Sequence, residues 1–168
     1  MADKEKQVRY DLDGYDTITE ALRNLLNQFP GLRDGEEISF SSLDEDGGIA
    51  MYPITGGIIE TERESITGHI TQVCQYPFYI VHRISGITDD RKAKEKERLD
   101  ALGRWLEKQS VTLFRIPYKL ESYPPLNDGK KFLSIERQSP SFLNNTNENK
   151  TEDWAINISA RYQNEFDK

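Results

Sequence analysis

From Ile66 to Ile84 the chain alternates with a period of two. Ile66, Ile70, Cys74, Tyr76, Phe78, Ile80 and Ile84 fall on one face. Thr67, His69, Thr71, Gln75 and Arg83 fall on the other, with Val73, Tyr79 and Val81 as apolar exceptions. Alternation rich in β-branched and aromatic residues predicts a half-buried strand. Its length makes it the central strand, and Pro77, which has no N–H to donate, predicts a bend, a bulge or an edge there. The last stretch alternates most cleanly, with Trp154, Ile156, Ile158, Ala160 and Tyr162 inward and Asn157, Ser159 and Arg161 outward. Shorter strands are predicted at Ile38–Leu43 and Ile49–Ile54, as a hairpin with an acidic tip or as two short strands joined by a loop, and at Phe132–Arg137. Ile58–Ile66 reads as a charged edge strand, and Val111–Ile116 as a short strand or buried turn.

Two stretches carry a helical period instead. Ile18, Leu22, Leu25, Leu26 and Phe29 form one stripe that Pro30-Gly31 ends, and Thr17 with Glu20 predicts a capping box at its start. From Asp89 to about Gln109, Leu99, Leu102, Trp105 and Leu106 form the docking face of a second helix whose first half, Arg91–Arg98, reads as solvated charge. Pairs Arg91–Glu95 and Asp100–Arg104 are spaced to interact. Asp128-Gly129 signals a turn. The prediction is one α+β domain over residues 15–168, a mixed or mostly antiparallel sheet with a long central strand, flanked by two main helices. Residues 1–14 read as a flexible N-terminal arm, and about 138–152 as an exposed polar loop whose apolar pair is Phe142-Leu143.

Composition narrows the function classes. The chain has 168 residues, a net charge of -7, a mean hydropathy of -0.74 and one cysteine. No apolar run approaches the roughly 18 residues of a membrane span, and no secretory signal is expected. The acidic balance disfavours gripping nucleic acid through its phosphates. Cys74 alone excludes an internal disulfide framework and a cysteine-based zinc site, and its place on the apolar face marks a core residue.

Candidate chemistry is sparse. Asp44, Glu45 and Asp46 invite a calcium-loop reading, but Gly48, Ile49 and Thr55 stand where an EF-hand needs a ligand, a glycine and a glutamate. His69 and His82 are thirteen residues apart, roughly 43 Å along a straight strand, too far to share a metal. Glu60, Glu62 and Glu64 read as one exposed strand face. Nucleophile-elbow and acyltransferase signatures are absent, and the Asn-x-Ser/Thr matches at Asn144, Asn149 and Asn157 read as chance. No catalytic, cofactor-binding or metal-binding residue is assigned.

The order of elements carries a resemblance. A leading helix ends Leu-Leu-Asn-Gln-Phe-Pro-Gly-Leu, short strands and a long strand pair follow, then a charged helix, and the chain closes on Asp-Trp-Ala-Ile-Asn-Ile-Ser-Ala-Arg-Tyr. From about Thr17 to Tyr162 this resembles the minor capsid and tail terminator (tail-to-head joining) proteins of tailed phages and prophages of Gram-positive bacteria. The resemblance implies a structural virion component without enzymatic activity. It implies self-assembly into a ring, expected to be a hexamer, that caps the tail tube and meets the head-completion or connector proteins. Assembly would occur in the bacterial cytoplasm, with DNA passing through an acidic lumen without specific binding. Asp44, Glu45, Asp46, Phe142 and Leu143 are the candidate subunit or partner contacts. The alternatives are a non-catalytic adaptor module of the host cytoplasm and, below it, an acyltransferase-type enzyme.

Overall fold

The computed structural model describes residues 7–85 and 88–168. In chain order the elements are β1 (Tyr10–Asp11), α1 (Tyr15–Leu26), β2 (Ile38–Phe40), β3 (Gly48–Pro53), β4 (Gly57–Glu64), β5 (His69–Ile84), α2 (Asp89–Leu106), β6 (Val111–Leu113), β7 (Ile116–Tyr118), β8 (Lys130–Arg137), β9 (Phe142–Thr146) and β10 (Glu152–Asp167). The fold is α+β with a mostly antiparallel sheet, as the periodicities predict.

Its axis is a pair of sixteen-residue strands, β5 and β10, antiparallel over their whole length from His69↔Asp167 to Ile84↔Glu152. Each is flanked on its outer side by two shorter strands in tandem. β5 carries β4 beside Ile70–Gln75 and β3 beside Phe78–Arg83, while β10 carries β9 and then β8. Pro77 falls where β4 gives way to β3. Its carbonyl accepts from the Ile54 N–H (3.1 Å), so its missing N–H faces the break between two partners, and pairing with β10 runs through it without a shift. The long strand therefore accommodates its proline at a local edge, and the bulges lie elsewhere, in β4, β8 and β9.

Even-numbered residues of β5 and β10 face the two helices. Cys74, Tyr76, Phe78, Ile80, Ile156, Ile158, Ala160 and Tyr162 join Ile18, Leu22, Leu25 and Leu26 of α1 and Leu99, Leu102, Trp105 and Leu106 of α2 in one buried core. Phe29 meets Trp105 with ring centres 5.5 Å apart, closing the helix layer. Gly103 lets α2 approach closely, since a Cβ there would stand 2.5 Å from Arg137 Cδ and 3.1 Å from Ile156 Cδ1. Among the described residues no helix covers the odd-numbered face, and Tyr52 and Tyr79 stack on it at 5.2 Å.

Several local expectations are corrected. Ile66 is fully exposed in the turn before β5 instead of extending its apolar face. Helix α1 begins at Tyr15 with Gly14 as N-cap, and no side-chain cap forms, so Thr17 and Glu20 lie inside the first turns and make no capping box. α2 does start on a side-chain cap, Thr88 accepting from the Arg91 N–H. β2 and β3 pair in parallel, Ile38↔Ile49 to Phe40↔Met51, which excludes the hairpin and leaves two short strands joined by a loop. A bulge at Glu60 puts Glu60 beside Arg161 on the open face and Glu62 beside Gln72 on the other, so the three glutamates do not share a face. Among the described residues of the predicted arm, Tyr10 and Asp11 pair with Ile58 and Gly57, and Asp11 is buried; residues 1–6 lie outside the description. So do Gly86 and Ile87, which belong to the turn expected to close the central ribbon.

Candidate functional site

His82 lies on the helix-covered face of β5, where α2 brings Glu95 and Arg98 onto it and the turn after α1 adds Arg33 and Glu36. The His82 Nδ1 is 3.5 Å from Glu95 Oε2, to which Arg98 donates from Nη2 at 3.0 Å. Arg98 also forks onto Glu36, donating to Oε2 at 3.0 Å and to Oε1, and Arg33 donates to Glu95 Oε1. The Arg33 N–H donates to Glu36 Oε1 at 3.1 Å. Every carboxylate oxygen in the group thus has a donor. Burial, reinforced by the Arg98 charge, pushes the His82 pKa well below its ordinary value, so the ring is neutral at physiological pH. Burial would raise Glu36 and Glu95, but the guanidinium hydrogen bonds and charges of Arg98 and Arg33 outweigh it and hold both carboxyls low. The predicted i,i+4 pairs give way to this cluster. Glu95 turns inward to Arg33 and Arg98, and Asp100 pairs with Lys96 and accepts from the Ser141 N–H (3.0 Å). Cys74 lies eight residues along the same strand, roughly 26 Å away, so thiol and imidazole do not meet. Burial pushes that thiol up to about 11, as suits a core residue. The cluster works as a clamp holding α2 and the 33–36 turn on the sheet.

The acidic tip and the polar segment come together on the other side. The turn Asp44–Gly47 is exposed, and its carbonyls are used while its carboxylates face solvent. Arg83 Nη1 donates to Asp44 O (3.1 Å), and Asn149 Nδ2 donates to Glu45 O (3.1 Å). Arg83 also holds the Asp153 carboxylate with two bonds, 2.7 and 3.0 Å, and Asn147 donates to the same group. The expected loop over 138–152 is corrected in part: Phe142–Thr146 is strand β9 on β10, and Phe142 and Leu143 stand there with β10 and β5 between them and β3, apart from Asp44, Glu45 and Asp46. Phe142 is half-buried opposite Ala155, and Leu143 stays exposed. No group of three or more His, Cys, Asp or Glu able to hold a metal occurs among the described residues. No helix among them is long and apolar enough to cross a membrane.

Two sheet edges, those of β8 and β2, are covered in part by side chains. The Tyr123 hydroxyl accepts from the Ile135 N–H (3.2 Å) and donates to Leu106 O (2.8 Å), and Glu107 accepts from the Arg137 N–H (3.1 Å), so β8 offers few free donors. Asn27 does the same for β2, bonding both the N–H and the carbonyl of Ile38. Such covers discourage strand-to-strand addition.

Among the exposed apolar side chains, two groups lie where periodicity does not reveal them. Around the start of α1, Tyr10, Leu12 and Tyr15 line a cleft of ≈ 450 Å³ with Thr55 and the Gly56-Gly57 backbone, and Leu12 is 85% exposed. Past the other end of α1, β6 and β7 form a two-stranded hairpin whose tip presents Phe114, 74% exposed, and then Ile116. A periodicity reading gives Leu12 no stripe to join between two aspartates, and of the short strand or buried turn expected over Val111–Ile116 the strand forms, with Phe114 outside it at the exposed tip. The only sequence signal for the hairpin tip was the absence of a turn-forming residue in Leu113-Phe-Arg-Ile116. Compared with known proteins, the chain matches no protein-family model and no curated protein.

Proposed function

We propose that this protein is a structural, ring-forming component of a phage or prophage virion, a minor capsid or tail terminator protein that caps the tail tube at the head–tail junction. The observation that carries this reading is the distribution of contact surface. The main-chain edges of β8 and β2 are covered by Tyr123, Glu107 and Asn27, while large apolar side chains are exposed at the start of α1 and at the β6–β7 hairpin tip. Surfaces of that kind favour association through defined side-chain faces over open-ended strand pairing. The order of elements that resembles tail terminators supports the same reading, with the tail tube and connector as partners. A net charge of -7 per subunit suits a lumen through which DNA slides.

Native mass spectrometry across a concentration series, alone and with a tail tube protein, tests the proposal. A discrete ring, or capped tubes, is the expected result. A monomer under both conditions overturns it and favours the adaptor reading. The acidic-lumen part is tested separately: the ring is expected not to retain DNA at low salt.

A further inference from the structure

Resting on that ring-forming reading, we infer that subunits join head to tail, the Phe114-Arg115 hairpin tip of one copy entering the Tyr10–Leu12–Tyr15 cleft of the next. Three observations converge on this pairing. The first is local conformation. Phe114 and Arg115 both have positive φ, 53° and 67°, in a two-residue turn that normally takes Asn-Gly. A bulky L-residue is strained in that region, and a phenylalanine that is 74% exposed recovers little from burial. The unfavourable backbone has one visible consequence: it projects an aromatic ring and a guanidinium together into solvent.

The second is complementarity. The cleft is walled by Tyr10, Leu12 and Tyr15, and Asp13 and Asp16 stand exposed beside it. An aromatic tip followed by an arginine meets an apolar hollow whose wall residues Leu12 and Tyr15 are each followed in the chain by an exposed aspartate. The third is placement. The cleft includes the first residue of α1, whereas Leu113 at the hairpin base lies 3.3 Å from where a Gly31 Cβ would stand, beyond the last turn. Twelve helical residues, about 18 Å, separate the two sites. Knob and socket on opposite sides of one subunit make a heterologous contact, which closes into a ring when the rotation between copies allows it.

The test combines an assembly measurement with covalent capture. Phe114→Ala, and separately Arg115→Glu, are expected to raise the concentration at which rings dissociate by at least about tenfold. Asp13→Lys with Asp16→Lys is expected to restore assembly when combined with Arg115→Glu. All four positions are exposed, so unfolding midpoints measured below the concentration at which wild-type rings form should lie close to the wild-type value. For capture, the Leu12→Cys, Phe114→Cys double variant is oxidised at a concentration well above the dissociation point found for Phe114→Ala, and its disulfides are identified by mass spectrometry; Cys74 is buried and stays silent. A ladder of covalent oligomers joined by 12–114 links is expected. Wild-type rings with no 12–114 link overturn this pairing and leave the ring proposal standing. A wild-type monomer with no ladder overturns both.

Discussion

His82 and Arg83 are neighbours on β5, point to opposite faces of one sheet, and each joins an arginine–carboxylate cluster, yet the two clusters differ in kind. Behind His82 stand α2 and the 33–36 turn, so Arg98 satisfies two carboxylates and the imidazole is dry. Behind Arg83 there is no helix among the described residues. Its partner Asp153 is shared with Asn147, and its remaining donor goes to the backbone of an exposed turn. Alternation along a strand decides which face a residue takes. What stands opposite that face decides how a stranded charge can recover. Asp153 is itself buried, but no described helix covers it, so loss of Arg83 opens it to water, whereas a carboxylate under α2 stays enclosed.

The sharpest way to break the comparison is to delete the arginine on each side. Arg98→Ala leaves the buried Glu95 and the half-buried Glu36 with Arg33 alone, and should cost roughly 3–5 kcal/mol. For a domain of this size that is a fall in Tm of about 10 °C. Urea titration checks it, with the midpoint moving at unchanged slope. A loss no larger than that of Arg83→Ala would remove the distinction between the two faces.

Acid should separate the clusters next. The folded pKa of His82 is lowered, so the unfolded chain binds the extra proton first. Its contribution is present above the unfolded value, roughly 6.5, and is lost as pH falls toward the depressed folded value. Glu36 and Glu95, also lowered, extend the loss below their ordinary range near 4.5. Stability measured between pH 7 and 5 should therefore decline, and His82→Gln should flatten that decline. An unchanged slope in the variant would show that another group carries it.

Arg83→Ala comes third. Asp153 keeps the Asn147 bond and gains access to water, so about 1–2 kcal/mol is expected, the scale of a charged hydrogen bond partly replaced. Loosening of the Asp44–Gly47 turn and the 147–151 segment should accompany it, read as faster amide exchange there.

These clusters also mark where sequence reading stopped. The long strand, the helix stripes and the inward set of β10 were legible because their periods repeat over many residues. His82 was placed on the core-facing side for the same reason. Its partners were not legible, because Glu95 and Arg98 sit in a run of eight residues holding seven charges, where helical spacing alone matches many pairs equally well. Only packing of α2 on the sheet selects which of them turn inward. The parallel pairing of β2 with β3 was hidden likewise, since two alternating segments around Asp44–Gly48 carry no mark of direction. Phe114 was hidden for the opposite reason: a lone apolar residue gives no sign of exposure unless the turn type is known.

The smallest effect is expected at Thr17, and it closes the scale at zero. Sequence spacing makes Thr17 and Glu20 a capping box, whose loss would cost about 1 kcal/mol. In the fold the helix has already begun at Tyr15, and Gly14 takes the cap position without a side chain. The reason lies in Asp11. Its carboxylate, accepting from the Tyr162 hydroxyl at 2.7 Å, occupies the space beside Gly14, where a Cβ would come within 2.0 Å of Asp11 Oδ2. A capping serine or asparagine therefore has no room at 14, and Thr17 has no orphan N–H to satisfy. Thr17→Ala should change stability by less than about 0.5 kcal/mol. Gly14→Ala, one turn away, should destabilise clearly by displacing the buried Asp11. Paired thermal melts decide between the readings: a loss at Thr17 equal to that of a true cap would put the helix start back where the spacing predicts it.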